Sequence, residues 1–178
     1  PEGPANPDGP TEPETPLDPD AEESEIAAPS KVMDFTFGVR KDTTITLKWT
    51  KNVSADGYVV EQYKGGKWKT IKTIDKNTTV SYKVKGLKAS KTYKFRIRAY
   101  KIDGNNKLYS SYATKSVKTL PSKVKKFAYK KRTKNSITLK WKKNKSADGY
   151  VIQQYKGGKW KTIKTIKKNK YYFQLTEE

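Results

Sequence analysis

The segment SADGYVVEQYKGGKWKTIKTI, beginning at Ser54, returns almost unchanged at Ser146 as SADGYVIQQYKGGKWKTIKTI. The correspondence starts well before this segment. PSKV at Pro29 recurs at Pro121, ITLKW at Ile45 recurs at Ile137, and 34 of the 49 positions from Pro29 to Asn77 are identical 92 residues later. A period of this length exceeds that of a solenoid repeat and has the size of a small domain. The chain therefore reads as one complete unit over 29–120 and the start of a second over 121–178.

The first unit has a period of two. TTITLKW sets Ile45, Leu47 and Trp49 on one face, and KTYKFRIRAY sets Tyr93, Phe95, Ile97 and Ala99 inward with Lys94, Arg96, Arg98 and Tyr100 outward. GYVVEQY alternates Tyr58, Val60 and Gln62 against Val59, Glu61 and Tyr63. KGGK, KNT and DGNN interrupt these runs, as hairpin turns do, and the paired glycines supply the positive φ that a tight hairpin requires. No window has helical spacing. The expectation is an all-β sandwich of about seven strands.

The second unit departs from the first after Asn169, where KYYFQLTEE replaces TTVSYKVKGL. Two outcomes stay open: the copy is a truncated fragment, the favoured expectation, or the tail improvises a fifth strand. Either way the strands that cover Trp141 in such a sandwich are missing from the repeat as read.

Charge divides the chain sharply. Residues 1–28 hold nine Asp and Glu and no Lys or Arg, so with an overall charge of +21 the remainder carries about +30. The acidic stretch is rich in Pro and lacks apolar periodicity, which predicts a disordered, extended linker. The sequence holds no Cys and no His. That removes disulfides, thiolate nucleophiles, imidazole triads and Cys/His zinc sites. No run approaches a membrane span. The sequence starts at Pro1; no signal peptide is expected within it, and it reads as a processed chain or an excised fragment.

PSKV followed by Phe, ITLKW, GYVV and YKVKGLKASKTYKFRIRAY together resemble a fibronectin type III domain. The resemblance is complete over 29–120, strong over 121 to about 169, and absent from the tail. It implies an immunoglobulin-like β-sandwich, with one complete copy and a truncated second. It places Trp49 as the core Trp of the second strand, and Leu87 with Tyr93 as a tyrosine corner whose hydroxyl meets upstream backbone. The Lys-laden body is similar to fibronectin type III modules of secreted Gram-positive bacterial proteins. That likeness implies a non-catalytic extracellular or cell-surface spacer and adhesion module, joined to neighbouring domains of a longer chain and needing no cofactor. The alternative is a polyanion- or carbohydrate-binding accessory module attached to an extracellular enzyme such as a glycoside hydrolase or cell-wall hydrolase.

Candidate sites are few. The scattered carboxylates form no pair suited to acid–base work. Asp56 and Asp148 in SADGY are expected to hold local turn backbone. The turn IDGNN lies between the last two strands and reads as hairpin chemistry. Asn52, Asn77 and Asn144 open N-x-S/T sequons. The basic surface is mostly Lys, a field of point charges rather than bidentate forks. No motif for reading base edges appears, so sequence-specific nucleic acid is not the expected partner. Anionic cell-wall polymers or acidic glycans fit better, though Lys also serves simply to solubilise a sandwich and guard its edges. The candidate surface comprises Tyr63, Trp68, Lys94, Arg96, Arg98 and Tyr100, with Tyr155 and Trp160 as repeat equivalents of Tyr63 and Trp68. Whether these rings pack inward or face a sugar hangs on one residue of register.

Overall fold

In the computed structural model the described residues are 26–176. The acidic linker expected over 1–28 lies outside them except for its last three residues. Thirteen strands and no helix occur among the described residues. The first copy holds β1 (Thr36–Arg40), β2 (Ile45–Lys48), β3 (Gly57–Lys64), β4 (Lys67–Ile74), β5 (Ser81–Val84), β6 (Thr92–Asp103), β7 (Asn106–Tyr109) and β8 (Ala113–Lys118). They form a three-stranded sheet, β1-β2-β5, and a five-stranded sheet, β4-β3-β6-β7, in which β8 also pairs with β6.

The expected seventh strand is thus split in two. β8 pairs with the first half of β6 and β7 with the second. Ser110 sits at the break. Its amide donates to the Ala99 carbonyl at 3.0 Å, while its hydroxyl accepts from the Ala99 amide at 2.9 Å. A side chain has taken over one rung of the ladder, and the strand kinks there.

One apolar cluster joins the two sheets. Ile45, Leu47, Tyr58, Val60, Phe95, Ile97 and Ala99 are fully enclosed, with Trp49 edge-on to Tyr58 at 5.3 Å between ring centres. The period-two reading of β2 and β6 places these inward residues correctly. β3 differs: Val59 and Glu61, on its other face, are also buried, because β6 presents Arg98 and Arg96 directly beside them. Leu87 is buried and the Lys88 amide donates to the Tyr93 hydroxyl at 2.7 Å, so the tyrosine corner forms. Lys64 pairs with Lys67 across Gly65 and Gly66, whose φ angles are +61° and +77°. Gly157 and Gly158 repeat this at +62° and +74°.

The second copy contains β9 (Lys125–Arg132), β10 (Ser136–Lys142), β11 (Tyr150–Lys156), β12 (Lys159–Ile166) and β13 (Tyr172–Thr176). They make a three-stranded sheet, β13-β10-β9, and a separate hairpin, β11-β12. The tail expected to fall outside the repeat is a strand. β13 pairs with β10 as β5 pairs with β2, with its register moved by one residue. Leu139 faces Phe173 where Leu47 faces Tyr82, and Ile137 faces Leu175 where Ile45 faces Val84. Substitution at every paired position, together with one deleted residue, hides this equivalence in the sequence. Among the described residues, Trp141, Tyr150 and Ile152 alone form the buried part of this copy's core.

One smaller expectation is revised, and the three sequon Asn residues take structural roles. Asp56 does not hold its own turn; its carboxylate accepts the amide of Ile102, 46 residues away, at 2.7 Å. Asn52 and Asn144 are buried, and their amide nitrogens donate at 2.6 Å to the carbonyls of Ser30 and Ser122. Asn77 is committed likewise, its amide reaching the Asn52 carbonyl at 3.4 Å. These Asn side chains hold loops together.

Candidate functional site

The outer face of the five-stranded sheet gathers most of the predicted surface residues. Tyr63 and Trp68 stand opposite each other on the β3–β4 hairpin, ring centres 5.3 Å apart and edge to face. Next to β3 runs β6, whose outward Lys94 ammonium lies 6.0 Å from the Tyr63 ring centre and 5.7 Å from that of Trp68. The Arg96 guanidinium lies 4.4 Å from Trp68 and 3.7 Å from Tyr112. Arg98 follows, 3.6 Å from Tyr109 and 4.9 Å from Tyr112. Cations and rings therefore alternate across the sheet, each contact of a kind worth about 0.5–1 kcal/mol when exposed.

Buried Glu61 anchors this ladder. It forms an ion pair with Arg96 and accepts a long hydrogen bond from the Thr70 hydroxyl at 3.5 Å. Arg96 is thus neutralised locally. Arg98 has no carboxylate partner among the described residues, and its Nε is buried without a hydrogen-bond acceptor. Burial pushes the Tyr112 hydroxyl pKa up, assisted by the Glu61 charge and opposed by Arg98 and Arg96. At neutral pH the ring is an uncharged plate between two cations.

Tyr100 does not belong to the accessible surface, contrary to expectation. It is 1% exposed. Its ring lies beneath the Lys107 ammonium, 3.8 Å away, and its hydroxyl donates to Asp75 at 2.6 Å. Burial raises its pKa well above the ordinary tyrosine value, reinforced by the hydrogen bond to Asp75 and by the charges of Asp75 and Asp56. The two carboxylates thus meet around a structural phenol. Among the described residues no three His, Cys, Asp or Glu side chains group as metal ligands.

Tyr155 and Trp160 repeat the hairpin pair, 5.4 Å apart, and are 60% and 65% exposed. They lack the cations that cover Tyr63 and Trp68, because no strand equivalent to β6 lies beside β11 among the described residues. Glu61, Lys107, Tyr109 and Tyr112 escaped the sequence reading. The kink at Ser110 puts Tyr109 and Tyr112, three residues apart, on the same face, which a period of two forbids.

A family model described as the fibronectin type III domain matches residues 27–115. No curated protein matches the sequence. Similar solved structures include a segment of two fibronectin type III domains from chicken tenascin. It is 24% identical, with 82% of each chain covered and a TM-score of 0.49. The crystal structure of FN3tt is 23% identical over 53% of this chain and 97% of its own, with a TM-score of 0.45. The fibronectin type III domain of human fibronectin type III domain containing protein 3 is 23% identical over 54% and 90%, with a TM-score of 0.43.

Proposed function

The chain belongs to the fibronectin type III family, and from that premise we propose that it is a spacer and presentation segment of a secreted or cell-surface bacterial protein. Domains of this family are typically non-catalytic modules of larger proteins. In this reading 29–120 is one module and 121–178 a truncated second, with 1–28 as linker. The outer face of the first module holds anionic cell-wall polymers or acidic glycans weakly. The observation that carries the adhesive part is the ladder of Lys94, Arg96 and Arg98 interleaved with Trp68, Tyr112 and Tyr109. Rings hold the cations in place, and Arg98 keeps a charge that no carboxylate cancels. Such a face attracts negative charge without the base-edge contacts of nucleic-acid readers.

Binding of this kind is screened over about 8 Å at physiological salt. The test is retention of the whole chain on a sulfated polysaccharide column. It should bind at low salt and elute well below 1 M, and Arg98→Ala should elute earlier. Equal elution of the variant and the parent chain would remove the ladder from the account. Retention beyond 1 M salt would replace diffuse attraction with a desolvated site.

A second reading rests on Tyr155 and Trp160, which are exposed without covering cations. Flat bare rings suit neutral sugars, as on an accessory module of an extracellular carbohydrate-active enzyme. Quenching of Trp fluorescence by a neutral oligosaccharide, abolished in Trp160→Ala, would favour it.

A further inference from the structure

Where the two copies differ, the differences add charge at one place. Lys123, Lys125, Lys142, Lys143 and Lys145 line a pocket of about 250 Å³ around Asn144. The equivalent positions of the first copy, 92 residues earlier, are Lys31, Met33, Thr50, Lys51 and Val53. Two lysines have become five. Beside them Asp34, whose carboxylate accepts the Thr50 hydroxyl at 2.7 Å, is replaced by Lys126. Asp34 and Lys126 both take a left-handed backbone, with φ of +52° and +54°, which Asp tolerates better than Lys. The second copy thus gathers charge here at the expense of a hydrogen bond and of a better-suited turn residue. Lysines that only solubilise are served by dispersal among other charges, not by convergence.

The first copy, which has β6, β7 and β8, leaves the same five positions exposed, Met33 at 63% and Val53 at 84%. No later strand of such a sandwich covers this place. The frame of the pocket is fixed by buried Asn144. Its Nδ2 donates to the Ser122 carbonyl at 2.6 Å, and its Oδ1 accepts the Ser122 hydroxyl and the Ser146 amide, each at 3.0 Å. The two segments that carry the lysines are therefore clasped together before anything binds. Among the described residues no carboxylate forms an ion pair with any of the five.

We propose that this pocket binds a run of closely spaced phosphates, a segment of a linear phosphate polymer. The site is separate from the ladder of the first copy and does not rest on it. An ammonium is a point charge with rotatable donors, suited to a tetrahedral anion approached from several sides, whereas planar carboxylates favour the arginine fork. Five ammonium groups around so small a space call for negative charges as closely set as those of successive phosphates. The charges of an acidic polysaccharide stand a sugar ring apart.

The probe is inorganic tripolyphosphate, titrated into the full chain at low salt and followed by calorimetry and by amide NMR shifts. One tripolyphosphate should bind per chain, with shifts confined to 122–126 and 142–146. Shifts centred on β6 instead, or saturation well above one per chain, would show diffuse attraction to the basic surface and overturn the site. Lys125→Met, Lys142→Thr and Lys145→Val made together install the first copy's residues, which this backbone already accepts there, and should weaken binding by roughly ten-fold. Unchanged affinity would refute the proposal. The converse variant, with Met33→Lys, Asp34→Lys, Thr50→Lys and Val53→Lys, should create a second site, because Asn52 clasps the first copy's loop to Ser30 and Ser54 in the same way. Stoichiometry that stays at one would show that the lysines in this frame do not make a site. A sulfated polysaccharide that loses as much affinity as tripolyphosphate in the triple variant would overturn the assignment to phosphate.

Discussion

Trp49 and Trp141 are the same residue in two settings. Each is 5% exposed and each meets a Tyr ring edge-on, but only Trp49 is closed over by β6 and β8. Removing a large buried ring leaves a cavity where neighbours cannot collapse, at about 3–5 kcal/mol. Against a typical reserve of about 5–15 kcal/mol, Trp49→Ala should lower the thermal midpoint of the first copy drastically. Trp141→Ala should cost less, because its site already opens to solvent. Tyr100 carries a different residue-scale consequence. The fold holds its phenol protonated above the pH at which an unfolded chain would release it. Its contribution is therefore complete below about pH 10 and declines as pH rises from there toward the folded value. Chemical denaturation of Tyr100→Phe should show a shallower loss of stability above pH 10, by up to about 1.4 kcal/mol per pH unit. Parallel pH profiles for the two proteins would show that Tyr100 ionises alike in both states.

At the scale of elements, the legible strands were those whose sequence alternates and whose turns contain glycine. β2, β6 and the β3–β4 hairpin follow directly from Ile45, Leu47, Trp49, Phe95, Ile97 and the Gly65–Gly66 pair. β13 was hidden, because Phe173 and Leu175 take the places of Tyr82 and Val84 across a one-residue deletion and no residue of the strand is identical to its counterpart. The candidate face was legible on β6, where outward Lys94, Arg96 and Arg98 alternate. It was illegible on β7 and β8, because the kink at Ser110 is made by tertiary hydrogen bonds. Tyr100 was misplaced for a related reason: alternation tells the face of a strand but not what lies above that face. Gly57 explains part of its cover. A Cβ there would lie 2.1 Å from the Ile74 carbonyl oxygen and 2.6 Å from the Tyr100 hydroxyl. Backbone cannot yield cheaply, so Gly57→Ala should force the start of β3 away from β4 and cost about 1–3 kcal/mol. Gly149→Ala meets the Ile166 carbonyl oxygen at 2.2 Å but no tyrosine. Denaturant midpoints should therefore move in both variants, and only Gly57→Ala should disturb the Tyr100–Asp75 hydrogen bond. A silent Gly57→Ala would mean that this approach of the strands is looser than described.

Over the whole molecule, stability should be distributed as unevenly as the core. The first copy encloses rings and branched aliphatics between two sheets that share one cluster. The second buries three large side chains, and all of β9 stays exposed along its length. Burial contributes roughly 25 cal/mol per Å² of apolar surface removed from water, so a sheet that covers little cannot hold its amides closed for long. Native-state hydrogen exchange reads this directly, since the opening free energy differs between cooperative segments of one chain. Amides of β3 and β6 should exchange only through global opening of the first copy, and those of β9–β13 should exchange by orders of magnitude faster. Within the second copy a finer order should appear. β10, bonded on both sides by β9 and β13, should be its slowest strand, and β11, bonded on one side, should be among its fastest. Equal protection in both copies of a monomer would show that β13 and the hairpin close the second sandwich unaided. Slow exchange at β11 alone, rising with protein concentration, would show the open edge pairing with another chain.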